Sequence, residues 1–253
     1  MSSKSIDIQH RIITDDYTVE IPEDYFQQTE EYVIVNFEDN TKKQVKLHDY
    51  TTMYSVPGLY ETVIYDVLKC NSHCLLTEHI KFLGGKKKIR VIELGAGNGV
   101  FAEELKNNTH VDYIMGVDIN PIAKKAAMRD RPELYDDYLI SDIALLKEST
   151  IKTIREKKFD FLVIPSALAL AHIPVKSLSK IIDMLPKNAH FVFNLKRKIV
   201  SDFFVKCPES GCFLFKEDEI NDQVKNVHHE EYIHRYNFSG EPYYYMCFIY
   251  KKI

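Results

Sequence analysis

From about residue 89 onward the chain alternates between short apolar runs and segments with the spacing of amphipathic helices. Val91-Ile92-Glu93-Leu94 is an apolar strand that passes, after a break, into Phe101-Ala102-Glu103-Glu104-Leu105, the first turns of a helix. Val111 to Asp118 is a second strand, followed by a helix over Ile122 to Met128, with Asn120 as its N-cap and Pro121 in its first turn. Tyr138 to Ser141, Phe159 to Ile164 and His190 to Leu195 read as further strands. Each is a short apolar run of strand length. Glu230 to Phe238 and Pro242 to Tyr250, about Ser239-Gly240, alternate as a closing hairpin. This order predicts an open, mostly parallel α/β sheet with an antiparallel pair at its end.

The segment before the first parallel strand differs. Glu31 to Glu38 and Lys43 to His48 alternate apolar and polar positions about Asp39-Asn40-Thr41, a β-hairpin signal. Leu59 to Leu68 has helical spacing, and Leu75 to Leu83 predicts a second helix running into Gly84-Gly85. The expected organisation is an N-terminal hairpin and helical extension over 1–87 and a sheet domain over 88–253.

The break after the first strand carries the chemistry. Gly95, Gly97 and Gly99 alternate at the corner between strand and helix, where glycine permits backbone conformations closed to other residues. A ligand can then lie on the loop beside the N–H groups of the helix start. A dinucleotide fingerprint would place its third glycine one residue later, where this chain has Val100. Glu93 would also set a negative charge beside a pyrophosphate; it suits a ligand with a cationic group. Asp118 ends the next strand about 20 residues beyond the loop, the spacing of a ribose-binding acid in such folds. Its carboxylate can accept from both ribose hydroxyls, although an acid there also serves as a helix cap.

The Glu93-x-Gly95-x-Gly97-x-Gly99 run resembles motif I of class I S-adenosylmethionine (SAM)-dependent methyltransferases. The resemblance covers roughly Lys88 to the C-terminus and implies a Rossmann-like, seven-stranded, mostly parallel sheet with helices on both faces. It implies that Glu93, Gly95, Ala96, Gly97 and Gly99 hold the methionine part of SAM, and that Asp118, with Ile119, holds the ribose. Asp142 and Ile143, after the third strand, would touch the adenine, with simple helix capping by Asp142 as the alternative. Pro165 at the end of the fourth strand and Tyr54 complete the expected cofactor contacts. The stretch from Phe159 to Pro174 is similar to methyltransferases with a short His-x-Pro segment after the fourth strand, and Tyr50 to Cys70 to N-terminal segments of small-molecule methyltransferases.

In related enzymes the region of Tyr50, Tyr54, Tyr60 and Tyr65 folds over the cofactor as a lid, though Tyr60 and Tyr65 at near-helical spacing also suit a core. His172 is the candidate base or acceptor-orienting group, because histidine titrates near neutrality; Tyr60 is the other catalytic candidate. As a lone histidine, His172 also reads as an ordinary loop residue. Asn194 and Lys196, at the end of the fifth strand, could contact a substrate carboxylate, but solvated positions are the expectation.

What is missing narrows the acceptor. Ile164-Pro165-Ser166-Ala167 lacks the N/D-P-P-Y/F of enzymes acting on planar amine nitrogens, and no Asp cluster follows for metal-assisted catechol chemistry. A formal charge of −4 over 253 residues argues against a nucleic-acid partner. With no bilayer-length apolar stretch and no signal-peptide pattern, a cytoplasmic protein without membrane contact is expected. The five cysteines form no disulfide framework, and Cys70, Cys74, His73 and His79 match no zinc spacing, so no metal is expected. The reading is a methyltransferase acting on oxygen or nitrogen of a small organic metabolite, with the N-terminal hairpin as a candidate homodimer contact. A non-catalytic SAM-binding regulatory module and, less well supported, a nicotinamide-dependent oxidoreductase are the alternatives.

Overall fold

The computed structural model describes residues 6–22, 30–168, 175–216 and 218–253. The chain forms two compact units: Ser72–Tyr232 with Tyr244–Ile253, and Met1–Asn71 with Ile233–Tyr243. The dividing point thus falls before the helix over Ser72–Gly84, earlier than the 87/88 boundary expected from sequence. That helix belongs with the sheet because Leu76 and Ile80 are buried in the same apolar cluster as Val91, Ile114 and Val163.

In the N-terminal unit, β1 (Arg11–Ile13), β2 (Tyr17–Glu20), β3 (Tyr32–Phe37) and β4 (Lys42–Lys46) form an antiparallel sheet in sequential order. The expected hairpin is its β3–β4 pair, closed by a turn in which Asn40 adopts φ 63°. Val33, Val35 and Val45 point into the core with Val19 and Leu47. Short helices α1 (Tyr50–Ser55) and α2 (Leu59–Glu61) follow. Asp49 caps α1 by accepting from the Thr52 N–H. The helix expected over Leu59 to Leu68 widens into a π-helix over Thr62–Val67, with the Leu68 N–H bonded to the Val63 carbonyl. The β-branched run Thr62-Val63-Ile64 crowds an α-helical turn, and the wider turn buries Val63, Ile64, Val67 and Leu68 in one cluster.

The second unit opens with α3 (Ser72–Gly84), then alternates β5 (Ile89–Leu94), α4 (Val100–Asn108), β6 (Val111–Asp118), α5 (Pro121–Asp130), β7 (Asp137–Ile140), α6 (Glu148–Lys157), β8 (Phe161–Ile164), α7 (Val175–Met184) and β9 (His190–Lys196). A small hairpin of β10 (Phe204–Lys206) and β11 (Phe213–Phe215) precedes the long strands β12 (Val224–Tyr236) and β13 (Pro242–Lys252). The seven-stranded sheet has the order β12-β13-β9-β8-β5-β6-β7, with β5 through β9 parallel and β13 antiparallel to β9.

Alternate residues of each strand fall in different apolar clusters. Val91, Ile114, Val163 and Val192 pack with Leu76, Ile80, Phe101 and Leu105 of α3 and α4. Ile92, Met115, Leu162 and Phe193 pack with Ile154, Leu178 and Ile181 of α6 and α7. Both faces are therefore covered, which is why the strands lack polar alternation. The second face is unusually aromatic: Phe191, Phe193, Phe204, Phe215, Phe248 and Tyr250 stack around ring separations of 4.4 to 6.5 Å. Because the chain runs outward from β5 to β7 and then returns to the other side of β5 with β8, the sheet has a switch point at the carboxyl ends of β5 and β8. Ligand crevices in open α/β sheets form there.

Candidate active site

The glycine corner fills that switch point. β5 pairs with β6 to its end, and the Gly95 and Ala96 N–H groups continue the ladder onto the Val117 carbonyl at 2.8 and 3.2 Å. The loop then needs left-handed backbone at Gly95 (φ 70°), Gly97 (φ 53°) and Gly99 (φ 93°), a region disfavoured for side-chain-bearing residues. Space enforces the choice too. A Cβ on Gly95 would collide with the Ala167 methyl, and one on Gly99 would lie 2.7 Å from Leu134 Cδ2. Gly99 is also the N-cap of α4.

Two carboxylates frame the loop. Glu93, near the end of β5, is 1% exposed. Its Oε2 accepts from the Tyr135 hydroxyl at 2.8 Å. Burial holds its carboxyl well above the ordinary range, partly offset by the Tyr135 hydrogen bond, and the Asp118 charge pushes it further up. Asp118, at the end of β6, accepts from the Gly97 N–H through Oδ2 at 2.9 Å and from the Asn120 N–H through Oδ1 at 2.8 Å. Burial raises its carboxyl as well, while those backbone donors oppose the shift. With backbone donors from Asn120, Gly97 and Ile119, the carboxylate still keeps acceptor capacity for a further donor.

Residues that sequence reasoning missed hold the loop's shape. Tyr138, on β7, donates to the Gly97 carbonyl at 2.6 Å, and Tyr135 reaches the Ala96 carbonyl at 3.3 Å as well as Glu93. Their rings meet edge to face at 5.1 Å. Gly116 leaves room for Tyr135: a Cβ there would lie 2.9 Å from its ring. Nothing in the local pattern marks these tyrosines, because their role depends on β7 pairing beside β6.

Asp142 and Ile143 begin a single 3-10 turn, where Asp142 accepts from the Ala144 N–H at 2.8 Å. Ile143 packs against the core, whereas Ile119, just past Asp118, is 68% exposed. Pro165 follows β8 and leads to Ser166, whose φ of 57° is left-handed. The Ser166 N–H donates to Asn194 Oδ1 at 2.6 Å. Asn194 Nδ2 donates in turn to the Ser72 and Tyr232 hydroxyls at 2.9 and 2.6 Å. Asn194 is thus fully buried at the centre of a polar network, not solvated as expected from its place at the strand's end.

Tyr54 and Tyr60 belong to the N-terminal unit, where they pack ring against ring at 4.8 Å beside Tyr50 and Tyr65. Burial, with Tyr50 and Cys70 nearby, raises the Tyr60 hydroxyl far above its usual value, so it stays protonated. His172 lies outside the described residues.

A Rossmann-like sheet in this strand order, with an acid-and-glycine corner at its switch point, defines the class I SAM-dependent methyltransferases. The chain belongs to this group: the family described as "Methyltransferase domain" matches residues 85–235. Among solved structures it resembles the PH0226 protein of Pyrococcus horikoshii OT3, 14% identical, with 80% of this chain and 99% of that one covered at a TM-score of 0.51. It also resembles an S-adenosylmethionine-dependent methyltransferase from Clostridium acetobutylicum, 14% identical over 76% of this chain and 96% of that one, at 0.50. A putative RNA methyltransferase from Pyrococcus horikoshii, PH1948, is 13% identical, with 72% and 85% covered, also at 0.50. At these identities the likeness is one of fold. No curated protein matches by sequence.

SAM is the cofactor of this family, and the residues present fit it. The corner offers bare backbone at three left-handed glycines, a buried carboxylate that a cation would relieve, and a second carboxylate with acceptor capacity left. The exposed Ile119 supplies apolar surface beside the second acid. Among the described residues no helix is long and apolar enough to cross a membrane.

Proposed function

We propose that the protein transfers a methyl group from SAM to an oxygen or nitrogen of a small organic acceptor. The observation that carries this reading is the convergence of Glu93 and Asp118 on one glycine loop, each raised by burial: Asp118 accepts from the Gly97 N–H, and Glu93 shares the Tyr135 hydroxyl with the Ala96 carbonyl. Bound there, SAM supplies an electrophilic methyl on a positively charged sulfur.

In this reading Glu93 accepts from the ammonium end of the cofactor, and the loop N–H groups at Gly95 to Gly99 face its carboxylate. Asp118 accepts from the ribose hydroxyls with its remaining lone pairs. Ile119 and Ile143 flank the adenine, and Asp142 accepts from its amino group. Pro165 and the turn at Ser166 border the methyl-bearing side. The enzyme's main work is to align nucleophile, methyl carbon and sulfur and to exclude water. His172 is assigned as the base or acceptor-orienting group. A small acceptor is favoured by the acidic balance of the chain, which offers little to a polyanion.

Calorimetric titration with SAM tests the site. Asp118→Ala should lower the affinity by about 100-fold, since a bidentate charged contact is lost; wild-type affinity in that variant would sink the ribose assignment. A titration with NADH should give no binding. Acceptors can be sought by incubating metabolite extracts with methyl-labelled SAM, and labelled RNA in place of a labelled metabolite would overturn the small-molecule reading. His172→Ala should lower kcat while leaving SAM affinity unchanged.

A further inference from the structure

A second chemical constellation lies away from the glycine loop, on the face of the sheet covered by α3. His79 projects from α3, and His228 and Glu230 project from β12. The two strand residues are separated by one position and so share a face of the strand. His229, between them, packs on the opposite side against Phe213, with ring centroids 4.8 Å apart. His79 Nε2 lies 2.5 Å from Glu230 Oε1, and His228 Nε2 lies 3.8 Å from the same oxygen. The two imidazole rings are 5.0 Å apart, and one donor atom from each of the three residues fits within 4.8 Å of the others.

We infer that His79, His228 and Glu230 bind a divalent late-transition ion of the zinc type, in a site that ties α3 to the terminal hairpin. The donor set is two imidazole nitrogens and one carboxylate oxygen. Such a set takes Zn²⁺ with three protein ligands and one open position, whereas Mg²⁺ and Ca²⁺ prefer oxygen alone. Ligand bonds of about 2.0–2.1 Å place tetrahedral donors roughly 3.3 Å apart. The observed spacings bracket that value, so small side-chain rotations close the shell.

The backbone that carries the donors is fixed. Leu76 and Ile80 of α3 are fully buried in one cluster with Cys247 and Ile249 of β13, and Tyr232 packs against it. Both histidines and Glu230 keep solvent exposure, His228 most of all, which leaves a path for an ion. His79 sits seven residues along α3 from Ser72, about 10 Å along the helix axis. Ser72 is the residue that meets Ser166 at the active edge. The ion would therefore act as a staple, distant from methyl transfer. Sequence spacing gave no hint, because the three ligands come from two elements separated by most of the chain.

A neighbouring group, His73, Cys74 and Glu104, offers a different donor set and serves as the internal control. The experiment uses untagged full-length protein, stripped of metal and titrated with Zn²⁺ by calorimetry and with Co²⁺ by visible absorbance. Wild type should bind one equivalent at micromolar affinity or tighter, with the intense bands of tetrahedral Co²⁺. His228→Ala and Glu230→Gln should each weaken binding ~100-fold or more. Both should retain wild-type circular dichroism and SAM binding. Cys74→Ser should bind like wild type. No stoichiometric ion in the wild type, or binding that survives His228→Ala and is lost in Cys74→Ser, would overturn the assignment.

Discussion

Glu93 shows how a single residue couples the site to solution conditions. Its carboxyl is raised by burial in the free protein, and the cofactor's ammonium group would favour the charged form. SAM binding should then release a proton where the pH lies between the value in the complex and the raised value of the free protein. Affinity is expected to fall as pH drops through that value and to level off above it. Calorimetry in buffers of different ionisation enthalpy measures the released proton directly. Glu93→Gln should bind more weakly and show no such dependence; an unchanged pH profile in that variant would remove Glu93 from contact with the ligand. The same raised carboxyl bears on stability. A folded value above the unfolded one means the favourable contribution is complete at low pH and is lost as pH rises through the folded value. Glu93→Gln should therefore stabilise the ligand-free protein near neutrality, a trade of stability for binding. Gly95→Ala is the complementary case: positive φ and the collision with Ala167 should abolish SAM binding and lower stability by more than about 1 kcal/mol.

Between elements, polar networks decide which helix and strand ends meet. Asn194 joins the start of α3, the end of β8, β9 and β12 through Ser72, Ser166 and Tyr232. Removing its side chain leaves the Ser166 N–H without its acceptor and takes a donor from the Ser72 and Tyr232 hydroxyls, which still bond each other, at about 1–3 kcal/mol for a buried orphan. Asn194→Ala should lower the denaturation midpoint accordingly, and activity should fall more than SAM affinity, because the proposed function sets Ser166 beside the methyl-bearing side. In the N-terminal unit the comparable feature is an ion pair, Glu31 with Arg235, nearly inaccessible and closed to 2.5 Å. Breaking such a pair from one side typically costs about 3–5 kcal/mol, and Glu31→Gln should show it in urea unfolding. Beside it, burial and the Arg235 charge hold His234 well below its usual value, so it is neutral in the fold. The stability this reflects is present above about pH 6.5, the unfolded value, and is lost as pH falls through the folded value. The N-terminal unit should unfold more readily at pH 5 than at pH 7, and His234→Asn should flatten that slope.

At the scale of the whole molecule, the two units make a single melting temperature an incomplete description. SAM at 100 times its Kd should stabilise the unit holding the glycine loop by about 2.7 kcal/mol, a rise of roughly 5–10 °C in that transition. Scanning calorimetry should show the shift confined to one transition if the cofactor contacts only that unit.

The parallel strands of the second unit were legible in the sequence because burial on both faces leaves an apolar signature in each one, independent of its neighbours. The second strand spans Val111 to Asp118 in pattern and in structure alike. The glycine corner was equally legible, since left-handed backbone restricts residue type locally. The β1–β2 pair and the β10–β11 hairpin were not, because three or four residues carry too little periodicity. The π-helical turn and the division at Asn71 also escaped, since both express packing against distant segments. So it is with the site. Sequence alone determined which residues bring charge and flexibility to the crevice: Glu93, Asp118 and the three glycines. Only the tertiary structure decided what surrounds them. Tyr135 and Tyr138 close on the loop, Asn194 is buried, and His79 meets His228 and Glu230 because strand pairing and helix docking join positions far apart in the chain. Those contacts leave no period in the sequence to read.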